Sequence, residues 1–234
     1  MRSPNSALLQ AAPTLPTAVG ERGSGRGRYT YLRDPAAISR RSMALIRAEA
    51  DLARFPRSLR PLALRLAQAA GDTAILDHLA WSRGAIGAGT RALTAGAPIL
   101  VDAAMVAAGI SRKRLPAANA VLCALSDPAI ATRARPRGST RSAAAVELWR
   151  PYLAGAVVAI GNSPTALFRL LEIIAAEDTK PALILGFPVG FVGAGEAKRA
   201  LAEFGRGLSF VTLHGRRGGS ALAAAAVNAL AGCR

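Results

Sequence analysis

The chain has 234 residues, of which 51% are hydrophobic and 19% charged, a composition that excludes an intrinsically disordered protein. Its two cysteines exclude a disulfide framework and a four-cysteine zinc site, and its two histidines argue against a histidine-rich metal site. The formal net charge of +16 favours anionic partners, or it reflects a coding bias toward arginine.

The sequence contains no segment with the composition of a membrane span. The longest uncharged run, residues 151–168, is interrupted by glycine, proline and polar residues. Residues 1–28 are rich in Pro, Gly, Ser and Arg, lack the apolar centre of a signal peptide, and predict a disordered extension. We therefore expect a cytoplasmic protein without membrane association, with a single domain over residues 29–234.

Helical periodicity begins at Asp34, which precedes Pro35 as an N-cap precedes a first-turn proline. The pattern predicts a first helix over residues 35–55, a second over residues 59–70 that stops at Gly71, and a third over residues 84–94. These helices precede the part of the chain in which strands are predicted.

Five short apolar runs follow, and they alternate with helical segments. The predicted strands are residues 98–101, 120–125, 156–160, 182–185 and 208–213. The predicted helices are residues 103–108, 142–152, 165–176, 195–204 and 220–231. Strands that are apolar on both faces and alternate with helices indicate a parallel sheet covered on both sides. The pattern predicts a three-layer α/β domain preceded by N-terminal helices.

Polar and glycine-rich loops follow four of these strands. They comprise Asp102 and residues 161–165, 186–190 and 214–220. Ligands of such sheets bind at the carboxyl ends of the strands, where glycine lets the backbone approach and helix N-termini favour anions. The loops predict either a site for a large polyanionic ligand or ordinary strand-to-helix turns, and spacing alone leaves both open.

Beyond this pattern, a series of motifs resembles the precorrin-8X methylmutase family. The motifs are YLRD at 31–34, Ser42, IRAEADLARF at 46–55, GAPI at 96–99 followed by Asp102, TRSAAA at 140–145, GNSPTAL at 161–167, GFPVGFVGA at 186–194 and RGGS at 217–220. Each motif alone is weak, but their order and spacing over residues 31–231 are specific.

The resemblance implies a flavodoxin-like α/β/α fold with a five-stranded, mainly parallel sheet. It also implies a homodimer that binds a tetrapyrrole near the subunit boundary and needs no metal or cofactor. The implied reaction is that of an isomerase in cobalamin biosynthesis. A methyl group moves between adjacent ring carbons of precorrin-8X, or of cobalt-precorrin-8, to give hydrogenobyrinate or cobyrinate.

One position departs from the family pattern. The family's proton-donating histidine lies three residues after an arginine and three before a glycine, and here Gln68 lies between Arg65 and Gly71 in that register. A carboxamide is no general acid near neutral pH, but it donates hydrogen bonds. Either Gln68 positions the ring while water or another group delivers the proton, or His78 supplies it, or the chain binds a corrinoid without isomerising it quickly. His214 follows a strand and faces the site or the dimer contact.

By the same resemblance, Ser42, Arg141 and Ser142 contact the substrate. The alternatives are an exposed serine at position 42 and, at positions 141 and 142, a helix cap beside a surface arginine. Arg217 is a further substrate-binding candidate. Asp102 either contacts the substrate or caps the helix that follows it.

A nucleic-acid-binding protein is the competing class for so basic a chain. That class needs a basic stripe interleaved with stacking aromatics or a recognisable reading helix. Aromatic residues make up only 5% of this sequence and are scattered. We therefore expect no nucleic-acid partner.

Overall fold

The computed structural model describes residues 29, 31–127, 130, 138–204 and 207–232. The chain divides into two units, one ending at Arg41 and the other running from Ser42 to Arg234. In the first unit the Asp34 carboxylate accepts hydrogen bonds from the backbone N–H groups of Ala36 and Ala37, at 3.2 and 2.8 Å. The predicted N-cap is thus confirmed. The extension predicted over residues 1–28 lies outside the described residues and remains a prediction.

Six strands of the described chain form one mixed sheet. They are β1 Leu79–Trp81, β2 Ile99–Val101, β3 Val121–Leu122, β4 Val157–Ile160, β5 Leu183–Gly186 and β6 Phe210–Leu213. The spatial order is β1-β6-β5-β4-β2-β3, with β1 antiparallel to β6 and every other pair parallel. The five parallel strands have the order of a flavodoxin-like, doubly wound sheet.

The predicted fold class is confirmed, and the strand count is corrected from five to six. The additional strand, β1, has three residues, too few for an alternating pattern to stand out in a sequence. It lies at the edge of the sheet, where pairing with β6 alone holds it.

Eight α-helices are present in the described residues: α1 Pro35–Glu49, α2 Arg60–Ala70, α3 Ala85–Thr94, α4 Ala104–Gly109, α5 Arg141–Glu147, α6 Pro164–Glu177, α7 Ala194–Phe204 and α8 Ser220–Ala231. Helix α1 ends six residues before its predicted end at position 55. Helix α5 stops before Pro151, which lies in a separate 3₁₀ turn. None of the described helices combines the length and the apolar character that a membrane span requires.

Two hydrophobic cores lie on the two faces of the sheet. Alternate residues of β4 enter different cores, with Val157 and Ala159 on the side of α2, α3, α4 and α8, and Val158 and Ile160 on the side of α5, α6 and α7. Every residue of β4, β5 and β6 is buried. This double burial explains why the strands are continuous apolar runs, and it leaves the strand ends as the place for polar chemistry.

Candidate functional site

Asp102 joins the ends of the two strands at which the strand order of the sheet reverses, β2 and β4. Its Oδ1 accepts a hydrogen bond from the Gly161 N–H at 2.8 Å, and its Oδ2 accepts from Asn162 and Ser163 at 2.9 and 2.7 Å. Ligands of doubly wound sheets bind at such a reversal, on the edge where the parallel strands end. We call this edge, defined by the ends of β2 to β6, the carboxyl edge.

The Asp102 side chain is enclosed by protein. The residue is 2% exposed, and burial raises the pKa of its carboxyl, although the three backbone N–H donors oppose that shift. Helix α4, which follows it, has no side-chain cap, so the alternative that Asp102 caps that helix is wrong. Its partner is the neighbouring loop, residues 161–163. The substrate contact proposed for Asp102 remains a prediction.

Two helices begin side by side at the carboxyl edge. The Thr140 hydroxyl, which caps α5, lies 2.6 Å from the Thr165 hydroxyl in the first turn of α6. Thr165 also contacts the hydroxyl of Ser163, the N-cap of α6, at 2.8 Å. These hydroxyls couple the start of α5 to the loop that Asp102 holds. Sequence reasoning noticed the TRS and NSPT motifs separately, and their contact depends on the fold.

This coupling places Arg141 and Ser142 in the first turn of α5, beside the loop after β4. Arg141 is exposed, and its Nη2 donates to the carbonyl oxygen of Leu125 at 3.2 Å, while Ser142 is half-buried. An arginine at a helix N-terminus is well suited to bind a carboxylate, because the guanidinium fork and the helix dipole act together. The structure therefore brings Asp102, Arg141 and Ser142 into one region.

A second group of predicted residues lies at the end of β6. The Arg217 Nη1 is 2.9 Å from Oδ2 of Asp72, which lies two residues after the end of α2. The Asp72 N–H closes that end by donating to the Ala67 carbonyl at 3.3 Å. The Asp72 Oδ1 accepts from the Ala74 N–H at 2.8 Å and so caps the 3₁₀ turn that follows. The last turn of α2, which carries Gln68, is thereby held beside the loop after β6.

Arg65 sets the orientation of the Gln68 carboxamide. Its Nη1 donates to Oε1 of Gln68 at 2.8 Å, and Gln68 is exposed. A guanidinium has donors only, so the amide oxygen must face Arg65 and the amide nitrogen must point away from it. Gln68 therefore presents its amide N–H groups as hydrogen-bond donors.

Both histidines lie at the carboxyl edge. The His214 N–H donates to the His78 carbonyl at 2.7 Å, next to the β1–β6 pair Leu79 and Leu213, and both histidine side chains are exposed. The location of His78 could not be deduced from the sequence, because it depends on the short strand β1. His78 and Gln68 belong to segments that reach the same end of β6.

Lys198, in α7, was not singled out by sequence reasoning. Its side chain is fully buried, and its ammonium donates to the Arg217 carbonyl oxygen at 2.5 Å. Burial lowers the pKa of Lys198 to about 8. A signal did exist, because Ala194, Ala197 and Leu201 form the buried stripe of α7 at helical spacing, and Lys198 lies within that stripe.

The loop after β5 exposes apolar side chains beside these charges. Phe191 and Val192 are 84% and 88% exposed, and the guanidinium of Arg216 lies 5.2 Å from the centre of the Phe191 ring. The arrangement offers apolar surface bordered by arginines, which suits a ligand or partner with an apolar body and anionic groups.

Ser42, the remaining predicted substrate contact, lies in α1. It is half-buried in α1, about two turns before Glu49, whose carboxylate lies 3.4 Å from the Thr73 hydroxyl in the turn after α2. The structure thus places the end of α1 next to the segment that follows Gln68, and the substrate contact of Ser42 remains a prediction.

Comparison with known proteins agrees with the fold and the motifs. A sequence model of the family described as precorrin-8X methylmutase matches residues 37–233. A precorrin-8X methylmutase of Pseudomonas aeruginosa is 58% identical over 201 residues, which cover 86% of this chain and 97% of that protein. A precorrin-8X methylmutase of Sinorhizobium sp is 54% identical over 203 residues, covering 87% and 97%.

A solved structure gives the same assignment. The precorrin-8X methylmutase from Thermus thermophilus matches this fold with a TM-score of 0.74 and 39% sequence identity, covering 83% of this chain and 96% of that one. Sequence and architecture agree over nearly the whole length of the relatives. The chain therefore belongs to the precorrin-8X methylmutase family, whose members are isomerases.

Proposed function

We propose that this protein is a precorrin-8X methylmutase of cobalamin biosynthesis. The reaction is the shift of a methyl group between adjacent ring carbons of precorrin-8X, or of its cobalt form, to give hydrogenobyrinate or cobyrinate. The observation that carries this proposal is the 58% identity to a relative of that name over 97% of the relative's length.

The electrostatics of the carboxyl edge support a substrate that carries many carboxylates. Arg141, Arg216 and Arg217 are all exposed there. Guanidinium groups bind carboxylates through paired hydrogen bonds, and a strongly positive surface attracts polyanions. Part of the net charge of +16 would then serve to bind the carboxylates of the substrate.

Gln68 acts in this proposal as a hydrogen-bond donor to the macrocycle. With its oxygen turned to Arg65, its amide N–H groups are directed to a ring nitrogen or a side-chain carboxylate of the substrate. The donor holds one macrocycle geometry, and the proton comes from water or from His78 at the same edge. Ser42, Arg141, Ser142, Asp102 and Arg217 are the proposed substrate-binding residues.

A homodimer in the cytoplasm completes the proposal, as the family resemblance implies. The exposed Phe191 and Val192 support a dimer, since soluble proteins rarely leave contiguous apolar surface uncovered.

The test is a visible-absorption assay of precorrin-8X conversion and of product binding with wild type, Gln68→His and Gln68→Glu. We expect wild type to bind the product and convert the substrate. Gln68→His is expected to increase kcat by about 10²-fold, because a positioned acid typically contributes that much. Gln68→Glu has the same shape, but its carboxylate pairs with Arg65 and offers no donor, so weaker product binding is expected.

A second candidate function is corrinoid binding without isomerisation, and it is favoured by the glutamine at the position of the acid. Product binding by wild type, with conversion only by Gln68→His, would establish it. Absence of any spectral change with either ligand would contradict both functions and would favour nucleic acid as the partner of this basic chain.

A further inference from the structure

Lys198 is the one fully buried lysine of three in the sequence, since Lys113 and Lys180 are exposed. Among the residues that the structure describes, no carboxylate lies within ion-pair distance of its ammonium. A buried and unpaired ammonium is costly, and Met or Leu would fill the same space without that cost. A lysine in this place therefore calls for an explanation other than packing.

The partner of Lys198 is the backbone carbonyl of Arg217, whose side chain contacts Asp72 after the end of α2. The ammonium holds the Arg217 carbonyl at 2.5 Å, and the guanidinium of the same Arg217 holds Asp72 at 2.9 Å. Asp72 in turn closes the last turn of α2 through the Ala67 carbonyl. An unbroken series of contacts thus connects α7, on one face of the sheet, with the turn of Gln68 on the other.

The rest of the loop is held independently of Lys198. The Gly190 N–H donates to the Arg216 carbonyl at 3.3 Å, and the Gly219 N–H donates to the Phe187 carbonyl at 2.8 Å. A Cβ on Gly218 would lie 2.4 Å from the carbonyl oxygens of Phe187 and Pro188. Because these contacts remain without the lysine, its loss should move Arg217 locally and leave the fold intact.

We propose that Lys198 is a positioning residue of the substrate site, which fixes Arg217 through its backbone carbonyl. The buried cation also adds positive potential below a surface that receives a polycarboxylate. This inference rests on the proposed function and deepens it, because it assigns the binding geometry of Arg217 to a residue that never touches the substrate.

The test compares Lys198→Met with Lys180→Met, the same substitution at an exposed lysine, in wild-type and Arg217→Leu backgrounds. The readouts are the Kd for the product, KM, kcat and Tm. We expect Lys198→Met to raise Kd and KM about tenfold, the effect of one charge-assisted hydrogen bond, while kcat changes less than about twofold. Its Tm should equal or exceed that of wild type because the buried charge is removed. Lys180→Met should change none of these values.

The double mutant separates positioning from general damage. If Lys198 acts through Arg217, Lys198→Met should change the product Kd by less than about twofold once Arg217 is leucine. Equal effects in both backgrounds, an unchanged Kd in wild-type background, or a lowered Tm with a proportional loss of kcat would overturn the inference. If wild type does not bind the product, both the proposed function and this inference are wrong. If wild type binds the product and Lys198→Met leaves its Kd unchanged, only this inference is wrong.

Discussion

At the scale of single residues, Asp102 holds the backbone of the neighbouring loop, residues 161–163. Its two oxygens accept three N–H groups of residues 161–163, and the next residues form the first turn of α6 and contact Thr140. All three N–H groups are occupied by the Asp102 carboxylate. The carboxylate therefore shapes the surface that Arg141 and Ser142 share.

Replacement of Asp102 by asparagine tests this arrangement. A carboxamide has one acceptor oxygen, so at least one of the three N–H groups loses its partner. We expect Asp102→Asn to lower the free energy of unfolding by about 1 kcal/mol, with a larger relative loss of product affinity. Urea denaturation and product titration measure the two effects. Asp178→Asn, at an exposed carboxylate, is the control. The arrangement is wrong if Asp102→Asn has the same free energy of unfolding and the same product affinity as wild type.

The residue scale also shows the limit of sequence reasoning at Gln68. The prediction that Gln68 occupies the site depends only on the spacing between Arg65 and Gly71 and needs no structure. The direction of the amide depends on a side-chain contact, the 2.8 Å hydrogen bond from Arg65. For Lys198, helical spacing indicates the buried face of α7, but the hydrogen bond from its ammonium to the Arg217 carbonyl depends on the fold.

At the scale of elements, Glu147 connects α5 to α6. Its carboxylate accepts from Nε of Arg150 at 2.9 Å and also pairs with Nε of Arg169, while Arg150 pairs with Glu177 at the end of α6. Burial raises the pKa of Glu147, but the hydrogen bonds from the two arginines outweigh it and hold the pKa below its ordinary value of 4.5. The helix that carries Arg141 is thereby anchored at its far end.

This network predicts a pH-dependent contribution to stability. The folded pKa of Glu147 lies below the unfolded one, so its contribution is complete above about pH 4.5 and is lost as the pH falls through the folded pKa. We expect Glu147→Gln to lower the free energy of unfolding by about 1–2 kcal/mol at neutral pH. The difference in free energy of unfolding between Glu147→Gln and wild type, measured by urea denaturation, should become smaller below about pH 4.5.

The control for this prediction is Glu172→Gln. Glu172 also pairs with Arg169, but its side chain is 62% exposed, against 17% for Glu147. Exposed ion pairs contribute little, so Glu172→Gln should be nearly neutral. If the difference in free energy of unfolding between Glu147→Gln and wild type stays constant down to acid pH, the proposed network is wrong.

Most elements were predictable because hydrophobic periodicity extends over many residues. Helices α2 and α8 agree with the prediction to within one residue, since their apolar stripes and their flanking glycines both mark the ends. The end of α1 and the strand β1 were not predictable. Apolar residues such as Leu52 and Phe55 continue beyond α1 for packing reasons, and β1 exists through its pairing with β6.

At the scale of the whole molecule, exposed apolar residues of the loop after β5 predict self-association. We expect wild type to sediment as a dimer, and Phe191→Asp to shift the equilibrium toward monomer, because a buried charge in an interface is costly. Analytical ultracentrifugation measures this shift, and Tyr152→Asp, at a 52% exposed aromatic, is the control. A dimer that persists in Phe191→Asp while product affinity falls would assign this loop to the substrate instead.

The layered α/β class, the order of the five parallel strands along the chain and the family were predictable from the sequence, because they depend on periodicity and motif spacing, which are local. Which of those local features come into contact depends on the fold. In the fold, the Arg217 side chain contacts Asp72 and the Arg217 carbonyl accepts from Lys198. Asp102 accepts from the loop after β4, and His78 lies at the carboxyl edge. These contacts join residues far apart in the chain, and the free energy that selects them comes from the packing of the whole sheet and its helices.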